Sequence, residues 1–271
     1  MSNVVLALLT RTETAPAILA GAECLATMLA DARIEVMIVR IAPLSIIMPT
    51  EEILTADREL QIRARETDRA AALHAIFDQW ARGYTGGDAP RWIDEEGTLE
   101  TFLESRGRRA DYIVVGRPDT HPGHADHSAL HAALFDTDRP VLIMPPQSRA
   151  DFGRIVAIAW REDKFTLRAV LAALRCIDKA EQVHVLMGRK DGAPAPRIPE
   201  ALTEHRIAVT PHELPIGKEK FGAQLLAQAH ELKADLLVMG AFTHGTWHSL
   251  LFGGVTKHIL AHTDLPVLMR H

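Results

Sequence analysis

Short unbroken apolar runs, separated by longer amphipathic stretches, set the plan of this chain. Residues 4–9, 112–115 and 141–144 are apolar runs of strand length without alternation, and 34–41, mostly apolar but with Glu35 and Arg40, reads as the second strand. That is the pattern of strands buried on both faces of a parallel sheet. Residues 91–94 are read as a short third strand between 34–41 and 112–115. Helical periodicity fills the gaps, over 12–30, 51–82 and 98–105, with Pro16 in the first turn of the earliest helix. The pattern then restarts. Strands are predicted at 154–160, 182–187, 207–212, 236–239 and 266–269, with helices at 165–177, 198–205 and 218–232 and one opening at Gly253-Gly254. Strands alternating with helices predict an α/β fold.

Two segments recur almost unchanged. ADYIVVG at 110–116 returns as ADLLVMG at 234–240, and TDRPVL at 137–142 returns as TDLPVL at 263–268. The steps between copies, 124 from Gly116 to Gly240 and 126 from Asp138 to Asp264, are nearly constant. The chain therefore reads as two tandem doubly wound parallel five-stranded sheets. The expected domains are 1–146 and 151–271, joined through Pro145-Pro146-Gln147-Ser148. Val4 and Ile155, in the first strands, are 151 residues apart. The first copy thus holds roughly 27 extra residues, which the 51–82 helix and its flanks must contain.

Composition narrows the function classes. With 47% hydrophobic and 24% charged residues the chain is an ordinary globular protein of 271 residues, long enough for two cores. A net charge of −5 excludes the electrostatic footprint of a nucleic-acid or anionic-membrane binder. Cys24 and Cys176, one in each copy, read as small buried residues of a reducing compartment. The first residues lack a basic signal region, and no apolar stretch has transmembrane length, so the expectation is a cytoplasmic protein.

Candidate chemistry lies in the loops beyond the strands' carboxyl ends. Gly240 ends a strand, and Gly253, Gly254, Val255 and Thr256 open a helix. Glycine lets a backbone approach a ligand closely, and helix N-terminal N–H groups favour an anion such as phosphate. Equally, such glycines merely turn the chain.

ADLLVMG, the spacing of Gly240 to Gly253, and TDLPVLM resemble the universal stress protein (UspA-like) family, and the whole chain resembles its tandem members. The resemblance implies strand order 3-2-1-4-5 in each copy. It also implies a pseudo-dimer in which the two fifth strands meet, with a homodimer or another protein as further partners. Nucleotide-binding members carry G-x2-G-x9-G-[ST] after the fourth strand, an acid at the end of the first strand, and adenine contacts from backbone near the end of the second. Carried over, the implied ATP site takes in Ala159, Trp160, Arg161, Met187, Met239, Gly240, Thr243, Gly245, Gly253, Gly254, Val255 and Thr256. Three departures stand out. Thr243 occupies the middle glycine position, although Gly245 follows. Gly254 occupies the Ser/Thr position, with Thr256 nearby. Arg161 stands where the acid belongs, and it cannot accept bonds from a ribose. Trp160 either stacks on a base or fills the adenine space. The first copy departs further: its first strand ends Leu9-Thr10-Arg11, and Ala132-Ala133-Leu134 is read against the helix-opening glycines. ATP is therefore expected in the second copy only.

The loop after Gly116 and the helix beyond it hold His121, His124, His127 and His131, with His127 and His131 on one helix face. Imidazoles so spaced can ligate zinc, whereas an exposed polar surface needs no metal. His244/His248 and His258/His262 repeat the spacing. Asp111 and Asp235 read as turn or cap residues, and Trp80, Trp92 and Trp247 as packing anchors. There is no G-x-S-x-G elbow and no G-x4-GK[ST] loop. The reading is a non-enzymatic stress-response or regulatory protein. The alternatives are a nucleotide-free scaffold for a protein partner, apolar ligand or metal, and a weak ATP hydrolase.

Overall fold

A computed structural model describes residues 3–30, 32–43, 55–119, 125–147, 151–217, 220–241 and 254–271. In the first half the strands are β1 (Val4–Leu8), β2 (Arg33–Ile41), β3 (Arg91–Gly97), β4 (Tyr112–Gly116) and β5 (Val141–Met144). The helices are α1 (Ala15–Met28), α2 (Ala56–Gly83), α3 (Leu99–Phe102), which runs into a π-helical turn (Leu103–Gly107), and α4 (Ala125–Phe135). The second half contributes β6 (Ile155–Trp160), β7 (Gln182–Arg189), β8 (Thr210–Pro215), β9 (Leu236–Gly240) and β10 (Val267–Arg270). Its helices are α5 (Lys164–Ile177), α6 (Glu200–Glu204), α7 (Phe221–Glu231) and α8 (Gly254–His262).

The ten strands form one sheet in the order β3-β2-β1-β4-β5-β10-β9-β6-β7-β8. Each half thus has the expected order 3-2-1-4-5 with parallel neighbours, and the halves join where β5 and β10 pair antiparallel, Leu142 opposite Leu268. β4 and β9 are buried at every position, which is why their sequences are unbroken apolar runs. α1, α2, α5 and α6 supply the core on one face of the sheet. The π-helical turn, α4, α7 and α8 supply it on the other.

Matching aspartates start the inner strands. Asp111 accepts from the backbone N–H of Val4 at 2.8 Å. Asp235 accepts from the N–H groups of Gly153, Arg154 and Ile155. Both are turn residues, as expected. Burial pushes the Asp235 carboxyl above the usual range, and the three backbone donors oppose the shift.

The outer strands depart from the sequence reading. β3 continues to Gly97 and β8 lies at 210–215, three residues later than predicted. Both are sheet edges with one neighbour only, so they need no apolar run and tolerate Pro211 and Pro215. Arg40 on β2 pairs with Asp94 and Glu96 of β3. The apolar Ile207 and Val209, read as strand, instead pack against the core behind α6, and the Ile207 N–H caps the Leu202 carbonyl. α2 is a single 28-residue helix started by the Thr55 side chain, and it accounts for the extra length of the first half. The helix after β4 opens at Ala125, so Ala132, Ala133 and Leu134 lie near its end and are not the counterparts of Gly253-Gly254. Among the described residues no helix is long and apolar enough to cross a membrane.

Candidate functional site

In each half the chain order reverses between the first and fourth strands, and their carboxyl ends form the crevice where such sheets take ligands. The two crevices are furnished differently.

The first is filled by its own side chains. Arg11 follows β1, and its Nε lies 2.6 Å from Oδ2 of Asp126 in the first turn of α4. Asp126 is 1% exposed. The Thr10 hydroxyl donates to its other oxygen. Arg11 also donates to Asp119, in the loop after β4, at 2.9 Å. From α2, Arg69 reaches over the sheet edge and donates to the carbonyls of Thr10, at 3.0 Å, and Val39, at 2.7 Å. Glu66 holds Arg69 at 2.7 Å and accepts from the Ile41 N–H at 2.9 Å. A carboxylate thus occupies the anion position at the helix start, and a guanidinium occupies the strand-end carbonyls. None of these roles was read from the sequence. A buried acid in the first turn of a helix was the available signal, but nothing in one sequence says which side chain reaches it. Gly116 packs closely here: a Cβ would meet that of Thr14 at 3.0 Å.

The second crevice has no such filling among the described residues. Thr166 in the first turn of α5 and Thr256 in that of α8 are both fully buried, and among the described residues neither hydroxyl has a hydrogen-bond partner. A Cβ built on Gly254, at the start of α8, meets nothing within 4 Å. The α5 and α8 N-termini, each with such a hydroxyl in its first turn, thus follow the ends of β6 and β9 in the chain, and Gly254 leaves open space at the second. Val255 is half-buried beside them. Gly240 ends β9 opposite Arg270, whose carbonyl accepts from the Ala241 N–H at 3.0 Å.

Other expected site residues are placed differently. Met187 and Met239 are buried, their side chains in opposite cores, so only their backbone faces the crevice rim. Ala159 is half-buried in the same way. The Trp160 indole N–H donates to the Arg197 carbonyl at 2.8 Å, which makes Trp160 an anchor for the loop before α6. Arg161 pairs with Asp163 at 2.5 Å. Asp163 also caps α5, accepting from the N–H groups of Phe165 and Thr166. Thr243, Gly245 and Gly253 lie outside the described residues, as do His121, His124, His244, His248 and Trp247. Of the expected metal set, His127 bonds the Asp119 carbonyl at 3.0 Å and His131 packs on Phe135. No group of three or more potential ligands is found among the described residues. Trp80 and Trp92 are packing anchors around Phe77, and the Trp80 indole donates to Glu23.

A cavity of about 460 Å³ opens at the opposite edge of the sheet, near the amino ends of β6 and β9. Four of its charged groups pair with one another, Arg154 with Glu181 and His230 with Asp264, and none of its lining residues has a buried side-chain polar atom without a partner among the described residues.

Comparison with known proteins agrees with this layout. No curated protein matches the chain in sequence. A universal stress protein from Archaeoglobus fulgidus has the same fold, with a TM-score of 0.74 at 16% identity, covering 100% of this chain and 96% of that one. A functionally unknown protein from Pseudomonas aeruginosa aligns with a TM-score of 0.57 at 13% identity, over 99% of this chain and 92% of that one. The profile described as "Universal stress protein family" matches residues 141–271, which take in β5 and the whole second half. Residues 141–271 therefore carry a universal stress protein family domain.

Proposed function

We propose that the chain is a non-enzymatic stress-response protein whose second unit, 151–271, binds an adenine nucleotide and whose first, 1–146, is closed to one. One contrast carries this reading. Asp126 and Arg69 fill the first crevice, whereas Thr166 and Thr256 leave two buried hydroxyls unsatisfied in the second. A buried hydroxyl without a partner costs about 1–3 kcal/mol, and a phosphate accepting from both would remove that cost. The α5 and α8 N-termini favour the same anion. Arg161, half-exposed, supplies a cation at the rim. The residues present thus fit a phosphorylated ligand. In this reading Gly254 and Val255 offer backbone N–H groups, and the Ala159, Met187 and Met239 backbone lines the base.

The test is calorimetric titration of the full chain with ATP and Mg²⁺, with mass spectrometry of any nucleotide carried through purification. Micromolar binding, lost on Gly254→Val, is expected. Absence of both binding and co-purified nucleotide overturns the reading. The scaffold alternative, in which a protein or a second copy of the chain is the ligand, then takes its place.

A further inference from the structure

The outer edge of the second half holds a histidine pair away from the crevice. His184 of β7 and His212 of β8 point to the same face of the sheet, and their facing nitrogens, Nδ1 of His184 and Nε2 of His212, are 3.1 Å apart. The rings are inclined at 61° with centroids 5.1 Å apart. His184 is 7% exposed. Its other nitrogen, Nε2, lies 3.2 Å from Oε1 of Gln182. With an amide oxygen as partner, Nε2 carries the proton and Nδ1 presents its lone pair to His212.

We propose that His184 and His212 form a two-imidazole site for a divalent transition-metal ion, with Cu²⁺ the best match. Metal–imidazole bonds of about 2.0–2.1 Å to nitrogens this far apart subtend roughly 100° at the ion, between the square-planar and tetrahedral angles. Two neutral imidazoles suit Cu²⁺, the most tightly held divalent ion of its row. The ion replaces the proton between the rings, and His212 takes its proton on Nδ1 instead, so both ligands stay neutral. Gln182 keeps the bond that fixes the tautomer and orientation of His184, the usual outer partner of a ligating histidine. His212 is half-exposed on an edge strand, so water can complete the coordination.

A second close histidine pair among the described residues does not share this geometry. His258 and His262 on α8 stack with planes 18° apart, and His262 Nδ1 is taken up by the His258 carbonyl. Lone pairs lie in the ring plane, so stacked rings do not converge on one ion.

The experiment is Cu²⁺ titration of the metal-free full chain, followed by electron paramagnetic resonance. With 14 histidines in the chain, differences between variants decide the result. Wild type is expected to show a site with two nitrogen ligands. His212→Ala and His212→Asn should each weaken it at least tenfold, Gln182→Ala about tenfold, and His258→Ala/His262→Ala not at all. Circular dichroism verifies the fold of each variant. If the folded His212 variants titrate like wild type, or if the α8 variant accounts for the loss, the proposal is overturned.

Discussion

The Arg11 guanidinium stands 2.6 Å from the buried carboxylate of Asp126, across the carboxyl ends of β1 and β4. The two partners differ in exposure, 24% for the Arg11 side chain and none for Asp126. Removing the cation strands a buried charge. Removing the carboxylate leaves an arginine that can turn to water. Arg11→Met should therefore cost about 3–5 kcal/mol, and Asp126→Asn, which still accepts from Thr10, only about 1–2 kcal/mol. Urea unfolding of the two variants checks the asymmetry, and equal losses would contradict it.

Thr256→Val separates stability from binding. The substitution removes a buried hydroxyl that has no partner and keeps the side chain's shape. The free protein should gain up to about 1 kcal/mol, while nucleotide affinity falls. A loss of stability would mean that the hydroxyl is satisfied in the free protein. The matching change at Thr166 should behave alike.

Arg117 ties the halves together. Its Nη1 donates to the carbonyls of Leu260 and Ala261, in the last turn of α8, at 3.2 and 2.9 Å. Burial lowers its pKa, yet a guanidinium remains charged at any working pH. A cation there satisfies end carbonyls and opposes the helix dipole. Arg117→Ala should cost about 1–2 kcal/mol. Faster hydrogen exchange at the end of α8 would be its local signature.

His271 makes stability depend on pH. It sits between Phe135 and Phe165, with ring centroids 4.8 and 4.7 Å away. Burial lowers its pKa, Arg168 and Lys164 lower it further, and Asp138 opposes them. A depressed folded-state value means that His271 contributes stability above its ordinary pKa of about 6.5. That contribution is lost as pH falls through the lower value. Thermal midpoints should drop between pH 7.5 and 5, and His271→Gln should flatten part of the drop. An unchanged slope would remove His271 as a cause.

Trp160→Phe should release the loop before α6, because the phenyl ring cannot donate to the Arg197 carbonyl. Limited proteolysis between residues 190 and 199 should then run faster than in wild type. An unaltered cleavage rate would show that the bond does not hold the loop.

The sequence by itself determined the inner strands and their repetition. A strand buried on both faces must be apolar throughout, so β1, β4, β5, β9 and most of β10 were legible as runs, and the copied ADLLVMG and TDLPVL segments exposed the two halves. Gly254 and Thr256 were legible as a helix start from local pattern alone. Only the tertiary structure decided the rest. Edge strands β3 and β8 carry polar residues because one side meets solvent, so periodicity misjudged their bounds. The filling of the first crevice unites Arg11, Arg69 and Asp126, and the histidine pair unites neighbouring strands β7 and β8. Such contacts depend on register and on side-chain reach across the sheet, which are settled only when the whole chain packs.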